Sequence, residues 1–135
     1  MKKAFTLLAA IILALSFAGC SFTSEERIKL RDLDFTILSE DVVPDELKTI
    51  IDERMTEPFK LTYSDNSNLY ICIGYGEQST GGYSITVNEL YLTDNAIYVN
   101  TSLLGPENGS NEKSAKSYPY VVIKTELLDT TVIFE

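Results

Sequence analysis

At 135 residues the chain has room for one domain once a leader is set aside. Eleven basic residues against twenty acidic ones give a net charge of −9, which repels phosphate backbones and argues against nucleic-acid binding. Histidine is absent, so the commonest general base and the commonest metal ligand are both missing, and two cysteines can build neither a disulfide framework nor a zinc cluster.

The N-terminus begins with the positive pair Lys2 and Lys3. An apolar run from Ala4 to Phe17 follows, broken only by Thr6 and Ser16. It is too short to cross about 30 Å of hydrocarbon as a helix, and it has the length of a signal-peptide core. Ala18-Gly19-Cys20 resembles the lipobox of bacterial lipoproteins, with Phe17 where Leu is favoured. The resemblance implies a signal peptide over 1–19, cleavage before Cys20, and a diacylglycerol thioether on its sulfur. Further acylation, by palmitate for example, would make the anchor durable. The rest of the chain would then sit on the extracytoplasmic face of the cell membrane. Secretion with cleavage nearby, and a Cys20–Cys72 disulfide, stay open as alternatives.

Residues 20–27 read as a short polar tether and 28–135 as one globular domain. Between Ile28 and Ser39, Leu33, Phe35 and Ile37 alternate with Asp32, Asp34 and Thr36, which predicts a strand with one solvated side. Pro44 opens a helix reaching Glu57, with Asp45 and Glu46 complementing its N-terminal dipole. Val43, Leu47, Ile50, Ile51 and Met55 form its apolar stripe, and Pro58 stops it. Phe59–Tyr63 and Leu69–Tyr75 are predicted strands around the turn 64–68. Tyr70-Ile71-Cys72-Ile73 is apolar on both parities, the mark of a central strand with Cys72 as a buried thiol.

Farther on, Tyr83, Ile85 and Val87 alternate with polar residues, and Asp94-Asn95 suits a two-residue hairpin turn. That turn pairs Leu92 with Ile97 and Leu90 with Val99. Leu90 and Leu92 have the opposite parity from Ile85 and Val87. Either the apolar face switches between two packed layers or a bulge lies near Asn88-Glu89, and the bulge is the preferred reading. Strands from Ile97 to Leu103, from Tyr118 and from Thr130 to Phe134 complete the expectation. The fold class is α+β: a mainly antiparallel β-sheet of six or seven strands, with a sandwich as one arrangement, carrying one amphipathic helix.

Counting reversals puts the loops 76–82 and 105–117 at the same end, opposite the Asp94-Asn95 turn. The first has glycines that permit unusual backbone shapes and tyrosines that offer rigid contact area. Function concentrates on such loops. The run Gly-Tyr-Gly-Glu-Gln-Ser-Thr-Gly-Gly-Tyr-Ser-Ile at 74–85, then Gly105-Pro106, then Tyr118-Pro119-Tyr120-Val121-Val122-Ile123-Lys124, resembles the C-terminal domain of the PrcB family. That family is named after a lipoprotein subunit of a surface protease complex. The resemblance spans 69–126 and implies a surface lipoprotein that binds a protein partner, a protease being one such partner, without catalysis. The partner-binding residues it suggests are Tyr75, Gln78, Thr80, Gly81, Gly82, Tyr83, Pro106 and Tyr118.

Thr80-Gly81-Gly82-Tyr83 also resembles the Thr-Thr-Gly-Tyr loop of chagasin-type cysteine-protease inhibitors. Gly81 stands in place of the second Thr, and no Trp matches that family's later Arg-Pro-Trp. Protease inhibition by a loop wedge, a structural role in the cell envelope, and an enzyme built on unmarked carboxylates are the alternatives. Glycine turns and strand tyrosines that serve the fold alone are the plainest of them. No catalytic, cofactor or metal site is expected. Asp65-Asn66-Ser67-Asn68 is read as a turn rather than a calcium loop.

Overall fold

The computed structural model describes residues 27–107 and 115–135. The expected leader, Cys20, the tether up to residue 26, and Gly109 and Lys113 of the second loop lie outside the described residues. In chain order the elements are β1 (Lys29–Asp32), β2 (Phe35–Ile37), a 3-10 turn (Glu40–Val42), α1 (Asp45–Arg54), β3 (Pro58–Ser64), β4 (Asn68–Tyr75), β5 (Ser84–Thr93), β6 (Ala96–Leu104), β7 (Tyr120–Glu126) and β8 (Thr131–Phe134). They form two four-stranded sheets, ordered β1-β5-β6-β8 and β2-β7-β4-β3. Among the described residues eight strands therefore replace the six or seven expected, and the arrangement is a sandwich with one α-helix outside it.

Apolar side chains from both sheets meet between the layers. Ile71 and Ile73 of β4 and Val121 and Ile123 of β7 pack with Leu90 of β5 and Ile97 and Val99 of β6. The opposite face of β4 is covered as well. Val43, Leu47 and Ile51 around α1 bury Tyr70, Cys72, Phe59 and Val122. Both parities of Tyr70-Ile71-Cys72-Ile73 are accordingly buried, as a strand covered on two sides requires. Cys72 is a free thiol in that second layer, and burial pushes its pKa up to about 12.

The helix is shorter than its apolar stripe suggests. Pro44 keeps an extended backbone (ψ 139°) and caps the helix instead of opening it, and α1 ends at Arg54. A proline ring four residues on clashes with the carbonyl of a helical residue, and Pro58 lies at that distance from Arg54. Leu47 and Ile51 are buried, while Ile50 lies only half-buried at the edge of the stripe.

The single strand expected within Ile28–Ser39 is instead two. β1 pairs with β5 in one sheet and β2 with β7 in the other, so the chain crosses between layers at Leu33-Asp34. Leu33 is buried at the crossing, with its N–H donated to the Leu90 carbonyl (3.0 Å). Thr125 Oγ1 holds the Asp34 carbonyl at 2.7 Å. Phe35 and Ile37, which share Leu33's parity, are exposed on β2, the edge strand of its sheet, opposite Thr125 and Ile123 of β7.

The β5–β6 hairpin follows the predicted register: Leu92 opposes Ile97 and Leu90 opposes Val99. The register slips between Val87 and Glu89, leaving Asn88 as the bulged residue. The bulge returns Ile85 and Val87 to the face that carries Leu90 and Leu92, and all four pack on the inter-sheet core. Asn88 Nδ2 reaches across to Asn100 Oδ1 (2.6 Å) and Ser102 Oγ (2.7 Å). The turn at 64–68 is held by Asp65, whose Oδ1 accepts from the backbone of Ser67 and Asn68. Those bonds hold its carboxyl below the usual range. The last strand, β8, runs parallel to β6 and covers it only from Ala96 to Val99.

Candidate functional site

The loop after β4 leads from one sheet to the other, and the loop after β6 leads back. Both crossovers lie at one end of the sandwich, where they are joined by backbone. Gln78 and Ser117 form an isolated antiparallel bridge, N–H to carbonyl in both directions at 2.8 and 3.1 Å. Ser117 Oγ donates to the Thr80 carbonyl at 2.6 Å. Around this bridge Glu77 accepts from the Tyr118 hydroxyl (3.2 Å) and pairs with Lys116 Nζ (3.3 Å). These are exposed groups, so they orient the rim more than they stabilise it.

Two glycines make the first crossover possible. Gly76 has φ +75° and lies against Pro58, where an added Cβ would meet Pro58 Cδ at 2.8 Å and Pro58 N at 2.9 Å. Its neighbour Glu77 donates its N–H to the Thr56 carbonyl (3.2 Å), seating the loop on the chain just past α1. Gly82 has φ +85° and faces Pro106, with an added Cβ 3.0 Å from Pro106 Cβ. Pro106 therefore closes the second loop over the glycine of the first.

The eight residues singled out in the sequence fall into two groups. Gln78, Thr80, Gly81, Gly82, Tyr83, Pro106 and Tyr118 lie on or beside the fused rim; Gly82 is exposed and the others half-buried. Gln78 Nε2 donates to the Tyr75 carbonyl (3.2 Å) and Thr80 Oγ1 to the Gly81 carbonyl (3.1 Å). Tyr75 stands apart. It packs on the inter-sheet core, and its hydroxyl shares a 2.6 Å hydrogen bond with Thr101 Oγ1 of the facing sheet. Tyr118 precedes β7 rather than opening it.

Glu77, Thr101 and Ser117 were not singled out in the sequence. Each matters through a partner far along the chain, and no local pattern marks it. Among the described residues no three His, Cys, Asp or Glu side chains gather as metal ligands. No helix there is long and apolar enough to cross a membrane.

Fold and rim together define a β-sandwich domain whose two sheets are tied at one end by paired, glycine-bearing crossovers. Residues 69–126 match the PrcB C-terminal family, and the chain carries that domain. The matched stretch runs from β4 through both crossovers to β7, the four inner strands of the two sheets. No curated protein and no solved structure matches the chain.

Proposed function

We propose that this protein is an exported lipoprotein, anchored at Cys20, whose PrcB C-terminal domain binds a protein partner through the fused rim without catalysing a reaction. The observation that supports this reading is the Gln78–Ser117 bridge. It fixes Gln78 of the first crossover to Ser117 of the second as one preorganised edge, so the ordering cost of that edge is met before a partner arrives. Gly82, Tyr83 and Tyr118 offer that edge a backbone of close approach and two rigid aromatic side chains. Anchoring keeps the rim in the plane of the envelope, where a membrane-bound partner such as a protease would be met.

The bridge also suits a second reading, insertion of the rim into a protease cleft as an inhibitory wedge. A papain-type cysteine protease titrated with the protein separates the two: stoichiometric loss of hydrolysis supports the wedge, and full activity supports partner binding without inhibition.

Crosslinking of the anchored protein in its host membrane, read by quantitative mass spectrometry, tests the main proposal. Gly81→Val and Tyr83→Ala are expected to deplete the same crosslinked partner. Identical partner profiles for both variants and wild type would refute rim binding. Cys20→Ser is expected to move the protein from the membrane fraction to the soluble one, and unchanged fractionation would refute the anchor.

A further inference from the structure

Beside the rim, β6 runs past the end of its neighbour. β8 pairs with Ala96–Val99 only, so 100–104 have no strand on that side among the described residues. The backbone groups that face outward can be identified by alternation. The Val99 carbonyl accepts from Glu135 N–H (2.9 Å), so Val99 points its polar groups toward β8. Thr101 and Leu103 have the same parity and point theirs the same way. Asn100 and Ser102 turn inward to the β5 ladder. The N–H and C=O groups of Thr101 and Leu103 thus form a short open edge.

That edge borders a cleft between the sheets of about 200 Å³, lined by Ile73, Val99 and Phe134, with Lys60, Tyr75, Thr101 and Glu135 at its polar margin; the Glu135 carboxylate is paired with Arg27. The volume is below what drug-sized ligands occupy and suits one or two side chains. Lys60 Nζ lies 5.9 Å from the Phe134 ring, and no carboxylate among the described residues is within salt-bridge distance of it. Unpaired strand edges are normally blunted by charge, proline or a covering segment, and 101–104, Thr-Ser-Leu-Leu, contain no charge and no proline.

We infer that the open half of β6 is a strand-addition site. An extended peptide of the protein partner would pair with Thr101 and Leu103, place an apolar side chain in the cleft and set an acidic one against Lys60. Strand addition supplies affinity through backbone bonds and specificity through alternate side chains, and this edge and cleft offer both. The inference rests on the reading of the domain as a partner-binding module and specifies how the partner is held. Edge and rim are contiguous, because the second crossover leaves β6 directly after Leu104.

A phage-displayed library of random ten-residue peptides, selected on the full-length protein in detergent and depleted on a Leu103→Pro variant, tests it. Proline is tolerated where an edge N–H faces solvent, so Leu103→Pro removes the donor while keeping the β5 ladder. A selected peptide is expected to carry an apolar residue with an acidic neighbour two positions away. Binding, measured by calorimetry, is expected to be at least tenfold weaker for Leu103→Pro and several-fold weaker for Lys60→Glu. The deciding measurement is N-methylation of the peptide at successive residues, which does not depend on how any variant folds. Losses of tenfold or more at alternate positions, with little change between them, signify strand pairing. Uniform effects, or no enrichment over Leu103→Pro, would overturn the inference. Dimerisation of wild type abolished by Leu103→Pro would overturn it too, by assigning the edge to a second copy. Loss of the crosslinked partner in Gly81→Val and Tyr83→Ala but not in Leu103→Pro would defeat this inference and leave rim binding standing.

Discussion

Gly76 and Gly82 both have positive φ, yet substitution at the two is expected to cost different amounts. Alanine at either position meets a backbone conformation that costs an L-residue about 1–2 kcal/mol. At Gly82 the new Cβ would touch the Pro106 side chain at 3.0 Å, and that loop can yield by a few tenths of an ångström. At Gly76 it would press on Pro58, including its backbone nitrogen at 2.9 Å. Pro58 is the first residue of β3 and opposes Tyr75 across the ladder, so it cannot withdraw without moving the strand pair. Such overpacking adds about 1–3 kcal/mol. Gly76→Ala should therefore cost about 2–5 kcal/mol against about 1–2 for Gly82→Ala. With a urea slope of about 2 kcal/mol/M, the first lowers the unfolding midpoint by roughly 1–2.5 M and the second by roughly 0.5–1 M. Asparagine separates the two causes, because it tolerates left-handed backbone but still carries a Cβ. Gly82→Asn should recover most of the alanine loss, and Gly76→Asn little of it. Equal midpoints for the two alanine variants, or full recovery at Gly76 with asparagine, would refute a rigid seat for the loop on Pro58.

Ile71, fully buried between the sheets on a central strand, should cost about 2–5 kcal/mol as Ile71→Ala in the same urea assay. Removing the Tyr75–Thr101 hydrogen bond with Tyr75→Phe should cost about 1 kcal/mol, and a double-mutant cycle with Thr101→Val should show coupling of that order. Additive losses would mean that the bond does not tie the sheets. Cys72 should resist iodoacetamide at pH 8 in the native protein and react at once in urea, because burial keeps it a thiol with its pKa at about 12. The folded pKa is raised above the free-thiol value of 9.0, so the contribution is fully present below pH 9 and lost as pH rises toward 12. Urea midpoints of Cys72→Ala should fall less steeply than those of wild type across that window.

Much of the fold was legible because burial leaves its period in the chain. Double-sided coverage of β4 could be read from Tyr70-Ile71-Cys72-Ile73, and the bulge from a change of parity between Val87 and Leu90 in a hairpin whose turn fixed the register. The division of 28–39 between sheets was not legible. Alternation looks the same whether a strand continues or crosses to a second layer, and only the distant partners β5 and β7 decide. For the rim, reversals predicted that the two loops share an end. They could not predict that Gln78 would bond Ser117 or that the Tyr75 hydroxyl would be drawn inward to Thr101, since those contacts depend on the distance between sheets.

The matched family stretch and the flanking chain divide the structural work in a way that explains why the open edge lies where it does. Residues 69–126 supply β4 and β7 to one sheet and β5 and β6 to the other. Alone, these two pairs would expose four strand edges and the outer face of β4. The residues before them contribute β3, which covers the β4 edge, β2 and β1, which cover parts of the β7 and β5 edges, and α1, which covers the outer face. The fourth edge falls to β8, whose four residues reach only to Val99 on a strand of nine. β4 is paired on both sides along its length, whereas β1 meets β5 only at Tyr91–Thr93. Among the described residues the rim-proximal parts of both β5 and β6 therefore lack an outer strand. The stretch of β5 carries Glu89 and the Asn88 bulge, which blunt an edge, and the stretch of β6 carries neither. Extending β8 in sequence, by adding strand-forming residues after Glu135, should close that edge, raise the urea midpoint and compete with any peptide that pairs there. A β8 extension that leaves both unchanged would mean that the edge is already satisfied by other means.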